Sequence, residues 1–335
     1  MKAIHCRKPG GLDKIEIADI AEPGDPKAGE IRVRLHATSL NYHDYNVVMG
    51  MLLHEDKRIP MSDGAGVVEA VGEGVTEFTP GDHVVSVFFP QWLDGPPRDA
   101  DFRTVPGDGV DGYARKMVVT PAHWFTKAPK GYSHEEAATL TCAGLTAWRA
   151  LIVDGPLKPG DTVLCLGTGG VSIFALQIAK AMGARVAITS SSDEKLARCR
   201  EMGADFTANY KQTEDWGKAV LNWTEGRGAD HIVEVGGPAT LPQSITACAI
   251  GGHIALLGVL TGIQGDIPTA AMFRKQIRLQ GLIVGSRANQ LDFVRALETT
   301  GIKPVIDRTF PIDELGAAFK HEADGKHFGK IVATI

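Results

Sequence analysis

Along the first third of the chain, apolar and polar residues alternate in short runs broken by glycine and proline. Residues 31–37, IRVRLHA, alternate at every step, the pattern of a half-buried strand. Residues 64–88, GAGVVEAVGEGVTEFTPGDHVVSVF, are two apolar runs parted by glycine-rich turns, again a β-rich pattern. Residues 90–112 are rich in Pro, Gly and Asp and predict a long surface excursion. The texture changes near Pro129, where apolar strands begin to alternate with helical periodicity, the mark of a parallel sheet covered by helices. TVLCLG (162–167) predicts a buried strand, and VSIFALQIAKAMG (171–183) a helix stopping at a glycine. RVAITS, HIVEVG, HIALLG and RLQGLIVG predict later strands; SDEKLARCREMG and NQLDFVRALETTG predict helices. A strand–helix–strand tail follows.

The length of 335 residues predicts two domains. No apolar run approaches the ~20 residues of a membrane span, and the first residues lack the apolar core of a signal peptide, so a cytoplasmic protein is expected. A net charge of −5 without a basic block excludes nucleic acid as an expected partner. The five cysteines are scattered with no CxxC spacing, so neither a disulfide framework nor a cysteine–zinc cluster is indicated.

Two stretches carry candidate chemistry. Gly167, Gly169 and Gly170, followed by Val171, stand between a predicted strand and a predicted helix. Small residues there let the backbone approach a pyrophosphate, and the helix N-terminus offers free N–H groups; Ser172 takes the place of the third glycine of the usual fingerprint. An NAD site usually has a carboxylate at the end of the next strand. Here the strand ends at Thr189 and Ser190 and continues Ser191, Ser192, Asp193, Glu194, Lys195. Serine hydroxyls and Lys195 suit a 2′-phosphate, while Ser191 and Glu194 have capping-box spacing; NADPH is the expected cofactor. The second stretch, SLNYHDY (39–45), packs an amide, an imidazole, a carboxylate and two phenols behind a strand. Asn41 can donate to a carbonyl, and His43 is either an acid–base group or a structurally satisfied histidine. Tyr42 and Tyr45, taken as extended backbone, alternate faces.

The segments 64–84, 134–148, 157–172, 226–237 and the tail FPIDELGAAF…GKHFGKIV resemble the medium-chain dehydrogenase/reductase superfamily over essentially the whole chain, closest to its zinc-independent, zeta-crystallin-like branch. The resemblance implies an α/β fold: a GroES-like β-rich catalytic domain (1–126 and 287–335) and a Rossmann domain with a parallel sheet (127–286), with the active site in the cleft between. It implies that zinc ligands of relatives fall at Asn41, Ser62, Asp63 and Cys142, of which only the cysteine is kept, so no metal is expected. It also implies cofactor contacts at Thr146, Tyr210, Gly258, Val259, Val284 and Ser286, with Lys330 toward the adenosine end. Asn41, His43 and Tyr45 are the implied catalytic set, with His43 where the branch carries Arg. The implied activity is NADPH-dependent hydride transfer to quinones, enones or reactive carbonyls by a homodimer or homotetramer. The alternatives are a metal-free alcohol or aldehyde dehydrogenase, an enoyl thioester reductase, or an NADPH-binding protein with little turnover. Phe88, Phe89 and Trp92 suit either an apolar wall or core.

Overall fold

The computed structural model describes residues 1–52 and 55–335, which divide into two compact units, Met1–Leu145 with Val284–Ile335, and Thr146–Ile283. The sequence-derived boundaries at 126/127 and 286/287 are thereby corrected. The helix His134–Ala138 packs on strands of the first unit's sheet, which carries the division past it.

Strands of the first unit are β1 (Lys2–Cys6), β2 (Ile15–Asp19), β3 (Glu30–Ser39), β4 (Ala65–Val71), β5 (His83–Ser86), β6 (Met117–Pro121) and β7 (Phe125–Lys127). The second unit holds β8 (Thr162–Leu166), β9 (Arg185–Ser190), β10 (Phe206–Asn209), β11 (Ala229–Glu234), β12 (Cys248–Leu256) and β13 (Arg278–Gly281). The chain then returns to the first unit with β14 (Ile306–Pro311) and β15 (Lys330–Thr334).

In the first unit β1 and β2 form an antiparallel ribbon, and the main sheet runs β14-β15-β3-β4-β5-β7, with β6 also on β3. β15 lies between β14, to which it is parallel, and β3, to which it is antiparallel. The alternation read in residues 31–37 appears as burial: Ile31, Val33, Leu35 and Ala37 are inside, Arg34 outside. Ile31, Val33 and Leu35 build a core with Val68, Phe78, Val84 and Phe125. His36, His134 and His83 stack face to face, with ring centroids 4.5 and 4.7 Å apart. The 90–112 stretch is only partly a surface excursion. Phe88, Phe89 and Trp92 are buried, and Phe102 packs edge-on against Phe89 and Trp92. Phe88, Phe89 and Trp92 are core, and Phe102 is an exposed ring laid against them.

The second unit is a six-stranded, all-parallel sheet in the order β10-β9-β8-β11-β12-β13. Its central strands are buried on both faces, which is why TVLCL reads as one apolar run rather than an alternation. Apolar residues of the helix Gly170–Ala181 are buried: Ile173, Phe174, Leu176 and Ile178. Because every strand runs the same way, the loops after β8, β9, β10, β11 and β12 gather at one edge of the sheet.

Candidate functional site

At that edge of the second unit, Gly167 follows β8 with φ +73°, a left-handed backbone that glycine adopts without strain. Gly169 caps the helix Gly170–Ala181, and no side chain bonds its first turn. Free N–H groups at Gly170 and Val171, with the positive end of the helix dipole, fit the pyrophosphate of a dinucleotide. Ser172 is buried and its Oγ donates to Leu166 O at 2.6 Å, tying helix to strand as the third glycine's small size otherwise allows.

The next loop is built differently from its sequence reading. Ser192, not Ser191, caps the helix Asp193–Glu201, accepting from Lys195 N at 3.3 Å. Ser190 is buried at the end of β9, and Lys195 stands on the first helical turn. Asn209 pairs with Ser190 across β10, and Tyr210, exposed, donates its N–H to Ser190 O at 3.0 Å. Ser190, Ser191, Lys195 and Tyr210 therefore share one corner. Asp193 is held there by Asn209 Nδ2 at 2.9 Å and Gln212 Nε2 at 2.8 Å, bonds that lower its pKa.

Sequence reasoning missed Glu234, which is fully buried at the end of β11. It accepts from Gly236 N (2.8 Å), Gly237 N (3.1 Å), Thr240 Oγ1 (2.6 Å) and Ser244 Oγ, and so folds the loop beside Gly258. A Cβ on Gly258 would lie 2.0 Å from Val235 O, so this backbone approach requires glycine. Val259 beyond it is exposed, and Thr146 is buried at the start of the unit. The available signal for Glu234 was a lone carboxylate inside an apolar strand, HIVEV, a position that demands hydrogen bonds once buried.

Of the remaining expected cofactor contacts, Val284, Ser286 and Lys330 belong to the first unit. Val284 has φ +45°, a strained backbone for a β-branched residue. Ser286 caps the helix Arg287–Thr300, accepting from Asn289 N at 3.2 Å. Lys330 departs furthest from expectation. It is 4% exposed, and its Nζ donates to Asn41 Oδ1 at 2.6 Å and to Leu40 O. Those bonds engage its ammonium within the first unit.

SLNYHDY is not an extended loop. Residues Tyr42–Val48 are a helix, and Asn41 is its N-cap. Asp44, at the third helical position, accepts from Asn41 N (3.1 Å) and Asn41 Nδ2 (3.0 Å), while its other oxygen accepts from Ser62 N (2.8 Å). The N-x-x-D spacing was the legible signal. On a helix Tyr42 and Tyr45 are three apart and share a side, their rings 6.2 Å apart; Tyr45 also packs on Phe319 of the core. Tyr45 is thus half-buried, packed against the core. Asn41 is 7% exposed, with Oδ1 bonded to Lys330 and Nδ2 to Asp44, the Ser39 carbonyl (3.4 Å) and Ser62 Oγ (3.5 Å). Its amide is occupied within the protein rather than aimed at a substrate carbonyl.

Around this knot, Ser39 Oγ donates to Asp63 Oδ2 at 2.5 Å, and the second Asp63 oxygen is buried without a hydrogen bond. Burial, with Asp44 adding, raises the Asp63 pKa to about 7 against the pull of Lys330, Ser39 and Asn41. Glu322 is raised to about 7 by burial, with Lys330 opposing. Burial and Asp63 push the Cys142 thiol well up, Lys330 again opposing. His43 meets Asp108 Oδ2 at 3.5 Å, lies 3.7 Å from Asp44 Oδ1, and sets its ring edge-on to Phe88. Burial alone would lower its pKa; the Asp108 and Asp44 carboxylates outweigh that and raise it to about 9. The imidazole is therefore a cation at neutral pH, not a group poised near 6.5.

A family model described as alcohol dehydrogenase GroES-like domain matches residues 27–130, and one described as zinc-binding dehydrogenase matches 170–300. The chain is 42% identical over 334 residues to the zinc-type alcohol dehydrogenase-like protein C1773.06c of Schizosaccharomyces pombe, covering 97% of this chain and 96% of that one. It is similar to a crystal structure described as an alcohol dehydrogenase from Sinorhizobium meliloti 1021 (TM-score 0.93, 42% identity, 100% and 98% coverage). A structure described as an NAD-dependent alcohol dehydrogenase also matches (TM-score 0.91, 34% identity, 100% of both chains).

These descriptions imply zinc, and the donors here do not fit it. A catalytic zinc takes three protein ligands from thiolate, imidazole or carboxylate. Here Asn41 is saturated, Cys142 is held as a thiol, and an ammonium is bonded into the cluster. Among the described residues no group of three or more His, Cys, Asp or Glu is placed to hold a metal ion.

Proposed function

Because the chain belongs to the medium-chain dehydrogenase/reductase family and is an NAD(P)-dependent oxidoreductase, we propose that it reduces conjugated acceptors, namely quinones, enones and reactive carbonyls, with NADPH. When bound, the nicotinamide supplies the hydride. Gly167, Gly169, Gly170 and Val171 hold the pyrophosphate; Ser190, Ser191, Lys195 and Tyr210 form the corner offered to a 2′-phosphate. A charge-assisted bond to that phosphate is worth ~1.5–3 kcal/mol, or roughly ten- to a hundredfold in affinity.

The observation that carries the substrate class is the placement of His43, 3.5 Å from Asp108 Oδ2 and 3.7 Å from Asp44 Oδ1, with its ring edge-on to Phe88. An imidazolium at 22% side-chain exposure holds a proton on Nε2 or Nδ1 and can yield it to an oxyanion. It stabilises developing charge less than a metal dication does, so the acceptor must spread charge itself. A quinone does this as a phenolate and an enone as an enolate; a saturated ketone cannot. A second reading is an alcohol dehydrogenase, which the names of the relatives favour, working without metal because the donors here do not fit zinc.

The deciding assay compares kcat/KM for a quinone, an enone and a saturated ketone of similar size, each with NADPH and NADH, in the parent protein and in Lys195→Ala. We expect quinone and enone to lead, and NADPH to be preferred in a way that Lys195→Ala erodes. A saturated ketone or alcohol turning over fastest transfers the assignment to the alcohol dehydrogenase reading. Binding of NADPH without turnover of any acceptor would instead identify a binding protein.

A further inference from the structure

A glutamate is almost never fully buried unless a cation pairs with it. Glu234 is fully buried, and every partner it has among the described residues is neutral. The Gly236 and Gly237 N–H groups and the Thr240 hydroxyl donate to Oε1, and the Ser244 hydroxyl donates to Oε2. Donors converging on both oxygens suit an ionised carboxylate, which only accepts. Its hydrogen bonds are satisfied, but its charge is not neutralised. Its position in the sheet is equally specific. β11 flanks β8 on the side away from β9 and β10. Val233 pairs with Cys165, which sets Glu234 level with Leu166, the residue before Gly167. On its other side Glu234 pairs with Leu256, shortly before Gly258. The loops beyond β11 and β12 are tied together, Leu257 N donating to Glu234 O at 3.0 Å and Thr261 N to Gly236 O at 2.8 Å. The loop after β8 suits a pyrophosphate, and the corner after β9 and β10 suits the adenosine end. The nicotinamide half of a dinucleotide then extends the other way, over the ends of β11 and β12, where this carboxylate is buried.

We infer that Glu234 is a fixed counter-charge for the oxidised nicotinamide ring. The cation this carboxylate lacks is the positive ring of the spent cofactor. Hydride transfer carries a proton and two electrons from the ring to the acceptor, so the acceptor gains a unit negative charge and the ring is left with a unit positive one. A buried anion at the end of β11 favours the positive form of the ring and therefore favours release of the hydride. Because its hydrogen bonds are already made, the carboxylate needs no reorganisation when that charge develops. The inference rests on the reading that a nicotinamide nucleotide occupies this edge of the sheet. It depends neither on the acceptor class nor on the preference for a 2′-phosphate.

The test is a ratio of binding constants. Titration calorimetry at neutral pH and fixed ionic strength gives Kd for NADP⁺ and for NADPH in the parent protein and in two charge-free proteins. The first is Glu234→Gln, which keeps the shape; the second is Glu234→Leu with Ser244→Ala, which removes the carboxylate together with one of its donors. Loss of the charge should raise Kd(NADP⁺)/Kd(NADPH) about three- to tenfold, because only the oxidised ring is a cation. Thr240→Val and Ser244→Ala each delete one hydrogen bond and keep the carboxylate, so they should leave the ratio within about twofold of the parent. A merely structural glutamate would loosen the loop on removal and weaken both forms alike. An unmoved ratio in either folded charge-free protein therefore overturns the inference, as does a ratio that Thr240→Val shifts as far as Glu234→Gln does. A parent protein that binds neither form fails the cofactor reading itself and takes this inference with it. One that binds NADH more tightly than NADPH fails only the 2′-phosphate reading, and the same ratio is then taken with NAD⁺ and NADH.

Discussion

Replacing Asp108 with Asn tests the charge state of His43 through both stability and activity. The His43 Nε2–Asp108 Oδ2 separation is 3.5 Å, and the two side chains are 22% and 28% exposed. Coulomb's law at that distance gives about 1 kcal/mol in bulk water and about 5 kcal/mol at an effective dielectric of 20. Partial exposure places the pair toward the lower end, at about 2 kcal/mol, which is about 1.5 pKa units. The His43 pKa of about 9 should then fall to about 7.5 in Asp108→Asn, Asp44 holding the remainder. The folded pKa lies above the unfolded value near 6.5. The pair's stabilisation is therefore complete below about pH 6.5 and is lost as pH rises through about 9. Urea unfolding at pH 6 should show Asp108→Asn weaker by about 2 kcal/mol, and at pH 10 the difference should nearly vanish. If His43 yields the proton, the alkaline limb of kcat moves down with the pKa. An equal loss of stability at both pH values, or an unmoved limb, would refute the reasoning.

Gly258→Ala should destabilise the protein by about 2 kcal/mol or more, because its Cβ meets the Val235 carbonyl backbone, and should weaken cofactor binding; calorimetry reads both. His134 has its pKa lowered to about 4 by burial, with His36 and His83 adding, so stability falls as pH drops from about 6.5 toward 4. His134→Gln should flatten the fall in Tm between pH 7 and 5. We also propose self-association. β13 is a sheet edge, and Ile263 and Phe273 in the same unit are 89% and 82% exposed. Light scattering should give at least a dimer that Phe273→Glu weakens; a monomer at micromolar concentration would end that proposal.

The parallel sheet was legible because buried strands such as TVLCL and RVAITS are separated by helices with clear glycine stops, a signal local to each unit. The phosphate loop was legible for the same reason: its glycines, strand and helix are contiguous. The polar cluster was only half legible. Asn41, Asp44 and His43 are neighbours in sequence, but the partners that decide their chemistry are distant: Asp108 lies 65 residues from His43, and Lys330 lies 289 from Asn41. No periodicity carries such pairings. The helix at Tyr42–Val48 was obscured by an aromatic and β-branched composition that disfavours helix, and tertiary packing of Tyr45 on Phe319 overrides that preference. The aromatic cluster of Phe89, Trp92 and Phe102 was hidden by the Pro, Gly and Asp around it, which describe turns and say nothing of what the turns enclose.

The placement of Lys330 also orders events during synthesis. The second unit is one continuous stretch, Thr146–Ile283, and has every strand of its sheet once β13 has been made. The first unit is interrupted, and its sheet lacks β15, which lies between β14 and β3, until the ribosome has passed Thr334. Until then Asn41 Oδ1 and the Leu40 carbonyl have no ammonium to accept from. A growing chain should therefore fold the second unit while the first waits for its final strand. Chains stalled before Lys330 should carry an ordered second unit beside a first unit that proteases cut readily. The same lysine that holds Asn41 thus acts as a checkpoint on translation: a truncated product lacks the lysine and the strand together.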